Sequence, residues 1–473
     1  MNLLQISLRN VRTRPVSSAL TCLSVALGAA LVASLWLMID QTDKRYKAGM
    51  AGYDAIVGPK EGSPLTLVLS TVLNLGEGTG LVPMGVYDEL RQGPLARRYG
   101  IEYAIPQARG DTFGGFPLVG TTDEMFTKFA RGDDPDGNPR HVELADGRFW
   151  DFGHEPFVAF AKEQSERLRY FAENGEYPDS GEHDHAHDAG HDHDHAHGGQ
   201  ESMLPAAWRQ AVIGATVAKS LDMRVGSKFT PIHGKDERVA HAHSEAETEV
   251  VGVLEPTGTP LDRVIWVPIS LFLSLDGHEP LITPDTDLEQ DMVQLTGIVV
   301  GTKAHLGGEW LRKTFQTRDD AQAAVPRQQI IRLLSMIGNA VEVLRVIAWL
   351  VIAVASIGVC VALYNTMNER RREIAIMRSL GARRAQIVTV ILAEAAVIAV
   401  LGAVLGVILC HLGAFVAGDW IAERTGVGVD WATFAVRELW LILGVAVLGG
   451  LAGLLPAVKG SLTEVADNLG PVS

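Results

Sequence analysis

Cysteine is scarce, with three residues, Cys22, Cys360 and Cys410, in a chain of 473. All three lie in apolar stretches, which argues against a disulfide framework or a cysteine metal centre and reads them as small packing residues. Positive charge is also in deficit. A net charge of −15 excludes nucleic acid as a partner, because phosphate contacts need clustered Lys and Arg. No G-x-x-x-x-G-K-[ST] phosphate loop occurs, so any nucleotide the system uses is expected on another chain. No Ser/His/Asp or paired-acid constellation stands out, and an enzymatic role is not indicated. The chain is neither uniformly polar nor uniformly apolar. Charged residues make up 21%, more than a pure membrane bundle would carry, while the 47% of apolar residues include runs too long for a soluble protein.

Those runs are the first positive signal. A hydrocarbon core of about 30 Å takes roughly 20 helical residues, and segments 17–39, 346–366, 387–416 and 439–458 meet that length. The third is apolar except for Glu394 and His411. The first run is longer than the core of a signal peptide and no small-x-small cleavage site follows, so a retained anchor is expected. Arg9, Arg12 and Arg14 precede it, and Arg370, Arg371, Arg372, Arg378, Arg383 and Arg384 fill the connection between the second and third runs. Basic residues beside spans mark the cytoplasmic side. Both termini and the 368–384 connection are therefore expected in the cytoplasm, with the large domain periplasmic or extracellular. Its composition agrees: residues 41–330 hold 27 Lys/Arg against 45 Asp/Glu. Gly402/Gly406 and Gly449/Gly453 are G-x-x-x-G pairs, a spacing that lets helices approach closely in lipid. Packing inside one subunit and a seam between two subunits both fit them. Glu394 is expected to have a structural pairing role.

The external segment alternates strand-like patches (103–105, 117–120, 249–254, 264–268) with helix-like ones (84–91, 211–221), the pattern of an α+β domain. Residues 326–345 carry apolar side chains at helical spacing and run into the second span, and the first span continues polar past Asp40; together they are expected to form a stalk. The fold expected is thus an α-helical bundle of four transmembrane helices with a large extracytoplasmic α+β domain between the first and second. The boundaries are 1–45, 46–328 and 329–473, with an insertion at about 151–205. That insertion holds a charged helical stretch, 157–173, and then HDHAHDAGHDHDHAH over 183–197. Such a tract cannot form a packed core and is expected to be mobile. Neutral imidazole ligates zinc, copper and nickel, so His183, His185, His187, His191, His193, His195 and His197 are candidate ligands. A smaller cluster, His233, His241 and His243, flanks two expected strands and is a second candidate. Three readings stay open for the tract: capture or sensing of a transition metal, incidental binding, and a solvated spacer.

Residues 368–382 read NERRREIAIMRSLGA. Ile374, Ile376, Met377 and Leu380 among charges make a short amphipathic helix suited to docking in a groove of a soluble partner, and Gly381 is placed to end it. A basic loop held on anionic lipid is the plainer alternative, which the interspersed Glu369 and Glu373 disfavour. The segment resembles the ER-x-REI-x-x-x-R-x-LGA signature of FtsX-like ABC permeases, the family of MacB-type and lipoprotein-releasing (LolC/LolE-like) proteins. The likeness continues through Glu394 and the glycines of the third span to Gly453-Leu-Leu-Pro456-Ala457, and takes in Leu8-Arg9-Asn10 and Arg14-Pro15. The external segment resembles a MacB-like periplasmic core domain at Asp54-Ala-Ile-Val-Gly58 and at Asp262-Arg-Val-Ile-Trp-Val-Pro268. Only the 151–205 insertion falls outside the resemblance.

The resemblance implies a permease subunit in the bacterial inner membrane, coupled to a separate cytoplasmic ABC ATPase. Glu369, Arg372, Glu373, Arg378, Leu380 and Gly381 would form the coupling helix. It further implies a homo- or heterodimer of permeases in membrane lipid, a periplasmic binding or adaptor protein as partner, and mechanotransmission rather than a wide pore. The cargo would be exported, extracted or carried in metal-linked transport. ATP would sit on the partner subunit, no cofactor would be bound directly, and Zn2+ or another transition metal remains a candidate through the histidines. The rival from another class is a non-transporting FtsX-like regulator that activates a periplasmic cell-wall hydrolase.

Overall fold

The computed structural model describes residues 15–50, 52–76, 78, 80–132, 138–174, 204–233, 241–243, 246–275, 293–304, 306–369, 371–425 and 430–461. Arg9, Arg12, Arg14, Arg370 and the histidine tract 183–197 lie outside them, as do the side chains of Glu369, Glu373 and His241. The chain divides into two compact units, Met1–Asp43 with Ser335–Ser473, and Lys44–Leu334.

Among the described residues of the first unit, four helices are long and apolar enough to cross a bilayer: Ser18–Gln41, Glu342–Asn365, Arg384–Gly418 and Val436–Lys459. The third and fourth contain the runs read from the sequence, and the first and second match theirs to within four residues at either end, each leaving out one terminal residue. Their shared core is made of small and branched side chains: Ala29, Ala33, Ile352, Val359, Ala395, Ala399, Ala403 and Leu441. Large apolar residues face outward in rows, as at Leu350, Val354, Ile357 and Val361 on the second span. That i, i+4, i+7, i+11 spacing is one helix face, and lipid tails solvate it as readily as a protein core would.

The second unit is built on a mixed sheet. In chain order its strands are β1 (Ala55–Gly58), β2 (Val82–Pro83), β3 (Ile101–Phe113), β4 (Phe116–Thr121), β5 (Leu144–Gly147), β6 (Gln210–Ile213), β7 (Lys228–Phe229), β8 (Ile232–His233), β9 (His241–Ala242), β10 (Thr248–Leu254), β11 (Ile265–Pro268), β12 (Gln294–Leu295), β13 (Gly297–Thr302) and β14 (Gln322–Ala324). The sheet runs β14-β1-β13-β3-β4-β11-β6-β10-β5, with β7 on β10, β8 on β3 and β9 on β8; β12 and β2 pair separately. Most pairs are antiparallel, while β11–β4 and β10–β6 are parallel. Helices Met84–Arg91, Ile269–Leu273 and Gly307–Phe315 pack on it. Ile56, Ile105, Leu118, Ile213 and Trp266 are completely buried between these elements.

The expected strands at 103–105, 117–120, 249–254 and 264–268 fall within β3, β4, β10 and β11, or overlap their ends. The helix at Met84–Arg91 has the expected bounds. Residues 157–173 lie inside His154–Asn174, and 326–345 inside Pro326–Glu369. The helix expected over 211–221 is different. Its first part is β6, hydrogen-bonded between β10 and β11, and only Ala215–Leu221 is helical. Ala211, Val212 and Ile213 are completely buried, and a short apolar run of this kind has no period that separates a buried strand from a helix. The neighbouring strands decide it.

Candidate functional site

The 368–384 connection folds as a helix, Arg371–Ser379, that stops abruptly. Gly381 takes φ +99°. Its N–H donates to Arg378 O (3.1 Å), and Ala382 N–H donates to Met377 O (3.0 Å). These two bonds are the paired closure of a Schellman cap, which needs a residue free to enter the left-handed region. Arg383 N–H then donates to Gln386 Oε1 (2.9 Å) at the start of the next helix. The chain is thereby folded into a short elbow with fixed ends.

The elbow has two faces. Ile374 packs in a small cluster with Met367, Ile387, Ile391 and Ala457, with Ala375 buried beside it. On the other side Ile376 and Met377 are 43% and 39% exposed and Leu380 is 83% exposed. Arg372 is exposed and Arg378 half-buried. Arg372, Ile376 and Leu380 follow i, i+4, i+8, one stripe of a helix. The sequence reading grouped all four apolar residues on a docking face. Ile374 belongs instead to the packing of the membrane unit, because on a 100°-per-residue wheel it stands about 160° from Ile376 and about 120° from Leu380.

The four glycines singled out for packing make close approaches inside this unit. A Cβ on Gly402 would meet Val25 Cβ at 2.7 Å, and one on Gly406 would meet Ala26 O at 2.5 Å, so this pair faces the first span. Gly449 and Gly453 face Ala399 and Ala395 of the third span, at 2.3 and 2.8 Å.

At the other end of these helices the polar residues bind one another. His411 Nε2 lies 3.1 Å from Glu438 Oε2, and its Nδ1 lies 2.5 Å from Trp431 O. Gln41 and the Asp430 backbone exchange two bonds, of 2.5 and 2.7 Å. His411 and Glu438 are both buried, and a buried polar group deprived of its partner costs about 1–3 kcal/mol. Glu438→Ala is expected to lower the unfolding midpoint of the detergent-solubilised chain. His411→Leu with Glu438→Leu should recover part of the loss, since neither partner is then stranded; thermal melts of the three variants check this. Glu394 is also buried.

Among the candidate metal ligands, His233 and His243 come together with a residue that the sequence reading missed. His233 Nδ1 lies 2.9 Å from Asp111 Oδ1, and His243 Nε2 lies 3.5 Å from Asp111 Oδ2. His241 is the backbone partner of His233 in the β8–β9 ladder. Asp111 sits in no local motif. It ends up opposite His233 only because β8 docks on β3 with Asp111↔His233 in register. Two residues earlier on β3, Arg109 is half-buried, and desolvation of its guanidinium lowers its pKa to about 10. Its guanidinium donates to Ser70 O (2.9 Å), Thr71 O (2.8 Å) and Gln107 Oε1 (2.8 Å), and to Asn74 Oδ1. Ser70 and Thr71 close the helix Pro64–Thr71, so the cation neutralises a helix C-terminus and fixes it to β3.

Residues 345–462 match the family model described as FtsX-like permease C-terminal. Two curated relatives are both called macrolide export ATP-binding/permease protein MacB. The protein from Nitrobacter winogradskyi is 29% identical over 216 residues, which cover 44% of this chain and 32% of the relative. That from Brucella melitensis biotype 1 is 27% identical over 274 residues, covering 52% and 41%. The matched stretch thus spans between a third and about two fifths of the length of these relatives.

Proposed function

We propose that this chain, an FtsX/MacB-type ABC transporter permease of the bacterial inner membrane, passes motion generated by a cytoplasmic ATPase to the unit Lys44–Leu334 on the opposite side of the bilayer. The observation that carries the proposal is the elbow. A capped helix exposes Ile376, Met377 and Leu380 beside Arg372 while Ile374 ties it to the bundle. An apolar stripe with flanking charge suits a groove in a folded partner, and the tie at Ile374 would carry a push into the spans. Two helices, Pro15–Gly49 of 35 residues and Pro326–Glu369 of 44, exceed the roughly 20 residues a bilayer needs. Their surplus length supports a mechanical role for the stalk. Mechanotransmission also suits the small number of ionisable groups in the four spans, which leaves a wide polar channel without lining. The relatives are named for macrolide export; export or extraction of a lipophilic or peptide cargo at the outer leaflet is the corresponding reading here, with Glu369, Arg372, Glu373, Arg378, Leu380 and Gly381 as the ATPase-facing elbow. Two permeases would then assemble with two ATPases.

The sidedness has a direct test. In a background with Cys22, Cys360 and Cys410 replaced, Ser220→Cys is expected to react with a membrane-impermeant maleimide in intact spheroplasts. Ser379→Cys should react only after permeabilisation. Both positions are exposed. Equal labelling of the two before permeabilisation would place them on one side and remove the mechanism.

A further inference from the structure

Asp111, His233 and His243 offer one ligand atom each, all within 4.8 Å of one another. They arrive from β3, from β8 and from the residue after β9. The backbone holds them there: Asp111 and His233 are ladder partners, and His243 N–H donates to Pro231 O at 3.0 Å. The Asp111 side chain is entirely buried, His243 is 5% exposed and His233 is 51% exposed. A carboxylate withdrawn from water is costly unless positive charge or strong hydrogen bonds compensate it. Two imidazoles aimed at its two oxygens provide nitrogen donors that a divalent cation can use together with the carboxylate. The donor set, two nitrogens and one oxygen, selects borderline transition metals over Mg2+ and Ca2+, which prefer oxygen throughout. Ligand atoms around a tetrahedral zinc ion at about 2.0–2.1 Å stand about 3.3 Å apart; the His233 nitrogen lies 2.9 Å from Asp111 Oδ1 and the His243 nitrogen 3.5 Å from Asp111 Oδ2, so small shifts would bring the donors to that spacing.

Asp111 and His233 also line a cavity of about 400 Å³, together with Ser70, Asn74 and Thr296. Solvent reaches the cluster through the half-exposed imidazole of His233. Three protein donors with room for a fourth is the ligand count of an open zinc site.

We propose that Asp111, His233 and His243 form a binding site for one zinc-class divalent cation, with a remaining position open to water or to a ligand group in the adjoining cavity. None of its three residues belongs to the 183–197 tract. It stands on the geometry of the sheet unit and does not depend on coupling to an ATPase.

The test uses the full chain in lipid nanodiscs, with residues 183–197 replaced by a Gly/Ser segment of equal length so that the tract's imidazoles do not contribute. Equilibrium dialysis against Zn2+ is expected to show about one saturable equivalent, and Co2+ to give the strong visible bands of a tetrahedral complex. His233→Ala, at a half-exposed position, should fold normally and weaken Zn2+ binding on the order of tenfold or more, while Asp111→Asn and His243→Ala should abolish the equivalent. Zn2+ should raise the melting temperature of the tract-replaced chain but not that of the His233→Ala variant. No saturable equivalent in the tract-replaced chain, or unchanged affinity in folded His233→Ala, would overturn the assignment and leave the cluster as two histidines beside a buried carboxylate, His233 hydrogen-bonded to it.

Discussion

Leu380→Asp combined with Met377→Asp is expected to abolish stimulation of the cognate ATPase while leaving the permease folded and inserted. Leu380 is 83% exposed and Met377 39% exposed, so neither substitution opens a cavity in the membrane unit. Surface changes away from packed contacts usually cost within about 0.5 kcal/mol. In a docked complex the outcome is different. Each buried apolar side chain contributes roughly 1.5–3 kcal/mol, and each carboxylate forced into the same groove adds a desolvation cost. Even about 3 kcal/mol lost in all is more than a hundredfold in affinity. ATP turnover in reconstituted membranes, with co-purification as a second readout, measures the effect. Ile374→Asp is the informative contrast. It puts charge into the cluster of Met367, Ile387, Ile391 and Ala457 and should fail at the level of folding, before any partner is met. The charge swap Arg378→Glu with Glu373→Arg is a weaker probe, because Arg378 is half-buried and its loss would mix packing with docking. If Leu380→Asp/Met377→Asp leaves stimulation unchanged, the elbow is not the contact.

Gly406→Val should be the most damaging single change in the membrane unit. A Cβ at this position would stand 2.5 Å from Ala26 O, 2.7 Å from Ala29 Cβ and 2.9 Å from Ala30 N. Two of those atoms belong to the backbone of the first span, so no rotamer change relieves the clash; the helices must move apart. Overpacking a close-packed core costs about 1–3 kcal/mol, and here the separation also breaks van der Waals contact along the whole crossing, the chief attraction between helices in lipid. The expected result is a strong fall in folded yield and in the melting temperature in detergent. Gly413→Val and Gly444→Val, where an added Cβ meets nothing within 4 Å, should melt like the parent. A similar melting temperature for Gly406→Val and Gly413→Val would show that the first and third spans do not cross here. The comparison bears on the question the motif left open, since both glycine pairs are occupied by contacts within one chain.

What was legible in the sequence follows the range of the forces involved. The four spans needed only a count of consecutive apolar residues against the thickness of a bilayer, and they lie where that count put them. The elbow was legible because a helix period, a charge pattern and a terminal glycine all fall within fifteen residues. Its division into two faces was less so. Ile374 and Ile376 are equally apolar, and only the approach of Ile387, Ile391 and Ala457 assigns one to the bundle and leaves the other exposed. The 211–213 segment failed for the same reason: Ala-Val-Ile becomes a strand because β10 and β11 stand on either side of it.

The Asp111–His233–His243 cluster lies at the far end of this scale. Two of its three members were noticed because histidines close in sequence attract attention. The third is an aspartate some 120 residues earlier (Asp111 against His233 and His243), indistinguishable in sequence from the other acids of an acidic domain. Hydropathy, charge and helix-ending chemistry act over a few residues, and for this protein they were enough to determine four membrane helices, a mixed sheet domain and a short amphipathic elbow ended by Gly381. Strand register and helix contact join residues that the chain keeps far apart. They alone decided which face of the elbow is free, which helix each glycine pair meets, and which carboxylate two histidines share.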